Sequence, residues 1–170
     1  MNRQIETLIV DDDTWSLRLV KGMLNECFPK MRVVTRETPD TSGDFDIYFI
    51  DNDFDGQRMA GKLAAQIRKE HPNSLIIAFS GVLDTETLKH LINAGCNGAC
   101  DKSAYGDLAR SMEIVQAYID QFLGTPAGKD ESRGFGGAVD SIRGLLQDWN
   151  RRLEHERRRV ESKEGQGVQS

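Results

Sequence analysis

Four short apolar runs in this chain each stop abruptly on residues that carry a charge or a hydroxyl, and that coincidence narrows the folds open to it. "ETLIV" (6–10) ends on "DDD", and "DIYFI" (46–50) ends on Asp51. "SLIIAF" (74–79) ends on Ser80 and Gly81, and "CNGAC" (96–100) on Asp101 and Lys102. The longer runs place apolar residues at consecutive positions, so both faces of each strand must be covered. Between them lie segments of helical spacing. Trp15, Leu17, Val20, Met23, Leu24 and Cys27 predict a helix from Thr14, capped by Asp13 or Thr14. Helices are also predicted over 57–72, 84–95 (capped by Asp84 or Thr85, stopped at Gly95) and 104–124, and "MRVVT" (31–35) reads as a further strand. Strand and helix alternate, which predicts an α/β fold with a parallel sheet and helices on both faces.

One crossover departs from that rhythm. Only "RETPDTSGDFD" separates Thr35 from Ile47, with Pro, Gly and no apolar period, so a single helical turn or a plain loop is expected there. One face of the sheet should be thinly covered.

The bulk properties exclude several functions. A net charge of −5 argues against a general nucleic-acid binder or a binder of acidic membranes. The opening "MNRQIETLIV" is too short and polar for a signal peptide, and no apolar run reaches membrane-span length, which makes a cytoplasmic protein the expectation. Cys27, Cys96 and Cys100 contain no C-x-x-C pair and read as buried or half-buried thiols. His71, His90 and His155 stand apart and read as surface histidines.

In an open parallel sheet, ligands gather outside the carboxyl ends of the strands. There the sequence places Asp11 and Asp12, Asp51 with Asp53 and Asp55 just beyond, Ser80, and Lys102. Clustered carboxylates suit Mg²⁺, which takes oxygen ligands and is often completed by a phosphate. A hydroxyl and an ammonium nearby are donors for phosphoryl oxygens. A carboxylate so placed can act as nucleophile and become an aspartyl-phosphate.

"LIVDDD", "FIDNDFDG", "IIAFSG" and "CDKS", in this order and at these strand ends, resemble the receiver domain of two-component response regulators over about residues 4–123. The resemblance implies a flavodoxin-like five-stranded sheet in the order 2-1-3-4-5. It implies Mg²⁺-dependent phosphoryl transfer from a histidine kinase or phosphotransfer protein to Asp51. Asp11 and Asp12 then match the acid pair of the metal site, Asp12 as direct ligand and Asp11 through water. Asp51 and the backbone carbonyl of Asp53 complete it. Ser80 matches the switch hydroxyl and Lys102 the lysine that neutralises the phosphoryl group. The chain also departs from the family. The loop from Asp51 to Gly56 is shortened, Ser103 replaces the usual proline after the lysine, and Ala99 stands at the aromatic switch position. Two other readings use the same residues. A degenerate receiver would keep the acids but serve as an unphosphorylated scaffold. "DND" (51–53) also resembles the nucleophile motif of haloacid-dehalogenase-type phosphatases, although their acid pair comes last in the chain and "DDD" comes first.

The Gly-rich "GTPAGKDESRGFGG" (124–137) reads as a linker, followed by a helix over 138–163 and a disordered tail, 164–170. Val139, Ile142, Leu146, Trp149 and Leu153 are spaced 3, 4, 3 and 4 apart, a short heptad seam whose next position is Glu156. "RRLEHERRR" (151–159) reads as a solvated face. A seam this short must bury itself against something. Ile142, Leu146 and Trp149 are therefore expected in a protein interface, with a homodimer favoured over a dock on the receiver.

Overall fold

The computed structural model describes residues 3–123 and 135–166. The chain runs β1 (Glu6–Val10), α1 (Thr14–Cys27), β2 (Arg32–Arg36), β3 (Ile47–Asp51), β4 (Asp53–Phe54), β5 (Gln57–Arg58), α2 (Ala60–Glu70), β6 (Leu75–Ser80), α3 (Thr85–Ala94), β7 (Gly98–Asp101), α4 (Tyr105–Tyr118), a π-helical turn (Ile119–Leu123) and α5 (Phe135–Gln166). Five strands form one parallel sheet in the order β2-β1-β3-β6-β7. Numbered among themselves, they follow the expected 2-1-3-4-5. Right-handed crossovers run leftward from β1 to β2 and rightward from β3 through β6 to β7, which puts α1 on one face and α2 and α3 on the other. The central strands β3 and β6 are buried along their whole length. That burial is why they read as continuous apolar runs.

Helix boundaries follow local chemistry. Asp13 caps α1 by accepting the Trp15 N–H, and Asp84 caps α3 by accepting the Thr87 N–H. Gly95 ends α3 in the left-handed region at φ 114°, where a side chain would be strained. The short β2–β3 crossover is a plain loop. Arg36 organises it in place of a helix, donating through Nη1 to the carbonyls of Asp40 and Ser42 at 2.9 and 2.8 Å. Thr41 and Phe45 tuck inward, while β2 stays only half-buried.

Several expectations need correcting. The helix expected over 57–72 begins at Ala60, because Asp53–Arg58 fold back as a hairpin. Asp55 and Gly56 both have positive φ (51° and 77°), the signature of a two-residue turn for which Asp-Gly is suited. The helix after Lys102 gives way to a π turn at Ile119. Cys96 and Cys100 are buried but Cys27 is exposed. His71 is half-buried, stacked on Tyr48 at 6.0 Å, whereas His90 and His155 lie on the surface.

The extension differs most. Helix α5 runs from 135 to 166, beyond the expected 138–163 at both ends; the rest of the expected linker (124–134) and tail (167–170) lies outside the described residues. Leu146, Trp149 and Leu153 are buried against α3, β7 and α4 of the same chain. The interface is thus the intramolecular dock, where the sequence favoured a second copy. The side chain of Ile142 lies outside the described residues. Helix α5 covers β7, an edge strand whose unpaired backbone would otherwise face solvent. Asn150 reinforces that cover by donating through Nδ2 to the Asn97 carbonyl at 2.9 Å.

Candidate functional site

Each strand that ends at the upper edge of the sheet delivers one element of the site. Asp11 follows β1, Asp51 closes β3, Ser80 closes β6, and Lys102 follows β7. Parallel pairing in register brings these ends together: Val10 lies opposite Ile50, Asp51 opposite Phe79, and Ser80 opposite Asp101. Asp51, Ser80 and Lys102 line an open cleft of about 390 Å³ with Asp12, Asn52, Asp53, Asp55, Arg58 and Val82, and Asp11 joins them through its contact with Lys102.

Lys102 is the centre of charge. Its Nζ stands 2.7 Å from Asp11 Oδ2 and 2.9 Å from Asp51 Oδ1. Both carboxylates are almost wholly buried, at 1% exposure each. Burial pushes Asp51 up to about 6, with the Asp11 charge acting in the same direction against the pull of Lys102. Burial also works against the Lys102 charge, but hydrogen bonds to Asp11 and Asp51 override it and hold the ammonium above the ordinary lysine value. The other oxygen of Asp11 accepts the Asp13 N–H at 2.9 Å, which fixes the carboxylate as the chain turns into α1.

The fit of this cluster to a divalent cation can be judged from its oxygens. Asp11, Asp12 and Asp51 each offer a carboxylate oxygen within 4.8 Å of the others. Apart from the nearby ammonium, Asp11 Oδ2 and Asp51 Oδ1 have no hydrogen-bond partner, a costly state for buried oxygens. An all-oxygen, multiply acidic donor set open to solvent on one side suits Mg²⁺. Asp12 is exposed, and its Oδ2 accepts the Asp55 N–H at 3.1 Å, which ties the β4–β5 hairpin to the acid cluster. Asp53 stands on the rim, where its side chain accepts the Gly56 N–H at 2.9 Å. Phe54 and Gln57 are the closing pair of the two-residue turn. The Asp53–Arg58 pair is therefore of the non-hydrogen-bonded type, and the Asp53 carbonyl is free of the hairpin ladder. Ser80 is buried, and its hydroxyl donates to the Val82 carbonyl at 2.6 Å.

The structure thus brings Asp12, Asp51, Asp53, Ser80 and Lys102 to one cleft, with Asp11 against Lys102 and the acid cluster. It keeps Leu146 and Trp149 apart from that cleft, on the β7 side. The sequence reading missed Asn52, Arg58 and Val82 as lining residues. The Asp-Gly turn signal, read as a shortened loop, would have placed Arg58 on a return strand opposite Asp53. Ala99 is wholly buried in β7, so no ring stands at that position. No helix among the described residues is long and apolar enough to cross a membrane.

No family model matches the chain, and no curated protein matches it. Solved structures do. A BeF3-activated receiver domain of DrrB is similar at a TM-score of 0.61 and 18% identity, covering 69% of this chain and 99% of that one. A CheY-like response regulator receiver domain protein from Methanospirillum hungatei JF-1 is similar at 0.60 and 22%, covering 70% and 96%. The signal receiver domain of a DNA-binding response regulator protein from Colwellia psychrerythraea 34H is similar at 0.61 and 18%, covering 69% and 99%. At these identities the likeness is one of architecture, and what it establishes is that this chain has the fold of response regulator receiver domains.

Proposed function

We propose that this protein is a phosphoacceptor response regulator, phosphorylated on Asp51 in a Mg²⁺-dependent reaction and signalling through protein contacts. The observation that carries this reading is the Asp51 carboxylate on the cleft floor, 2.9 Å from the Lys102 ammonium and within cation-sharing reach of Asp11 and Asp12. The phosphoryl donor is a phosphohistidine of a kinase or phosphotransfer protein. An Asp51 oxygen attacks phosphorus in line, the P–O bond forms as the P–N bond breaks, and the leaving imidazole takes its proton from solvent. Asp11, Asp12, Asp51 and the Asp53 carbonyl would hold Mg²⁺, which supplies charge neutralisation to the phosphoryl oxygens. Lys102 offers a second positive charge, 2.9 Å from Asp51. The Ser80 hydroxyl, now turned to the Val82 carbonyl, is a donor that can be redirected to a phosphoryl oxygen. With its pKa raised only to about 6, Asp51 is still mainly the nucleophilic carboxylate at neutral pH.

Intact-mass spectrometry after incubation with acetyl phosphate or phosphoramidate tests the reading. One phosphoryl group should be added with Mg²⁺, none with EDTA, and none in Asp51→Asn. Labelling that survives in Asp51→Asn would move the acceptor elsewhere. Failure of both donors to label the wild type would favour the unphosphorylated scaffold.

A further inference from the structure

Helix α5 meets the receiver through more than its apolar seam. Four residues beyond Leu153 the same face carries Arg157, which is only 16% exposed in its side chain. The sequence reading placed the seam's next position at Glu156 and gave Arg157 to solvent. A straight helix of 3.6 residues per turn brings position 157 inward instead. The Nη2 of Arg157 stands 3.0 Å from Asp101 Oδ2 and 3.4 Å from Asp107 Oδ2, both on carboxylates that are themselves largely covered.

Asp101 is the residue before Lys102, and its two oxygens do different work. Oδ2 faces Arg157, while Oδ1 accepts both the backbone N–H and the hydroxyl of Ser103. Its backbone N–H donates to Asp107 Oδ2 at 3.0 Å, and its carbonyl accepts the Ala104 N–H at 3.1 Å. The turn that presents Lys102 is therefore built around Asp101. The Lys102 N–H completes it by donating to the Ser80 carbonyl at 3.0 Å. A continuous set of contacts runs from α5 through Arg157 and Asp101 to the turn, and from Lys102 to Asp11 and Asp51. Removing one member of a largely buried charge pair leaves the other uncompensated, so the two ends cannot relax independently.

We propose that Arg157 is a positioning residue for Lys102: by holding Asp101 it sets the turn that aims the ammonium at Asp11 and Asp51, which couples the docking of α5 to occupancy of the carboxylate site. The sign follows from competition. A cation bound to the acid cluster contends for Asp11 Oδ2 and Asp51 Oδ1, the oxygens that Lys102 now engages. The ammonium must redirect, and the turn leaves the geometry that Arg157 fits. Occupancy therefore loosens α5, and by reciprocity undocking α5 tightens cation binding. The occupant named here rests on the proposed function; the contact chain does not.

Calorimetric titration of the full chain with Mg²⁺ alone tests the coupling. Arg157→Ala and Trp149→Ala should both bind Mg²⁺ about five- to tenfold more tightly than wild type, and Arg157→Lys should restore most of the difference. Equal affinity in all four proteins would overturn the proposal, because a merely structural arginine would not move this readout. Tighter binding in Arg157→Ala but not in Trp149→Ala would also overturn it, since the effect would then be one of local charge. A second arm needs no ligand. In the full chain carrying Trp15→Phe, Lys102→Ala should increase acrylamide quenching of Trp149 at least twofold, and unchanged quenching would overturn the coupling. Wild-type protein that binds no Mg²⁺ would count against the metal site itself, and the Trp149 arm would then decide the coupling alone.

Discussion

The indole of Trp149 occupies the space that a side chain on Gly98 would need: a Cβ built on Gly98 would stand 2.2 Å from Trp149 Cζ3. No real Cβ contact is that short, so the edge strand and the extension helix fit only because residue 98 is glycine. Gly98→Ala should therefore push α5 off the receiver while leaving the sheet folded. Hydrogen exchange across 146–160 should rise sharply in the variant, with β3 and β6 protected as before. Trp149→Ala should release the same segment by losing its burial, a change of about 3 kcal/mol for a large side chain. Unaltered exchange in α5 in both variants would show that this contact does not hold the helix.

The raised Asp51 pKa has a consequence for stability in metal-free buffer. The folded protein keeps this proton up to about pH 6, whereas an unfolded chain releases it near the ordinary aspartate value. The ionised carboxylate thus costs stability progressively as pH rises through that window, and fully above it. Asp51→Asn should be more stable than wild type at pH 7.5 by up to about 3 kcal/mol, with the gap closing toward pH 4. Denaturant titration in EDTA at the two pH values measures it. An equal gap at both would contradict the assigned cause.

Asp12 is the exposed member of the acid cluster, and removing it takes an oxygen donor from that cluster without opening the core. Asp12→Ala should weaken Mg²⁺ binding by about tenfold or more, because this ion relies on few carboxylates. It should also free the β4–β5 hairpin, whose Asp55 N–H it accepts. Thermal stability without metal should change little. Trp15, exposed beside Asp11, is a fluorescence reporter for the titration, and an unchanged curve in the variant would remove Asp12 from the site.

The parallel sheet and the grouping of the site residues were legible in the sequence because strands buried on both faces announce themselves and their last residues fall at one edge; the strand order came only from the resemblance to receiver domains. Ser80 and Lys102 gained meaning only from that shared edge. The hairpin was also written there, in Asp55-Gly56, but a two-residue strand carries no alternation to read. The fate of α5 was harder. An apolar seam states that a helix must be covered and says nothing of what covers it. The receptor for Trp149 is the bare backbone of Gly98, a missing side chain that leaves no apolar signal. Arg157 looked solvated because its partners, Asp101 and Asp107, lie some fifty residues earlier.

Borohydride trapping tests the central claim most directly, since it reads the modified atom itself. Hydride reduces an aspartyl-phosphate to the alcohol and releases phosphate, leaving homoserine where the acceptor stood. After incubation with acetyl phosphate or phosphoramidate and Mg²⁺, tandem mass spectrometry of the reduced full chain should find homoserine at position 51 and at no other aspartate. Homoserine at Asp11, Asp12 or Asp53, or none in the presence of both donors, would contradict phosphoryl transfer to Asp51.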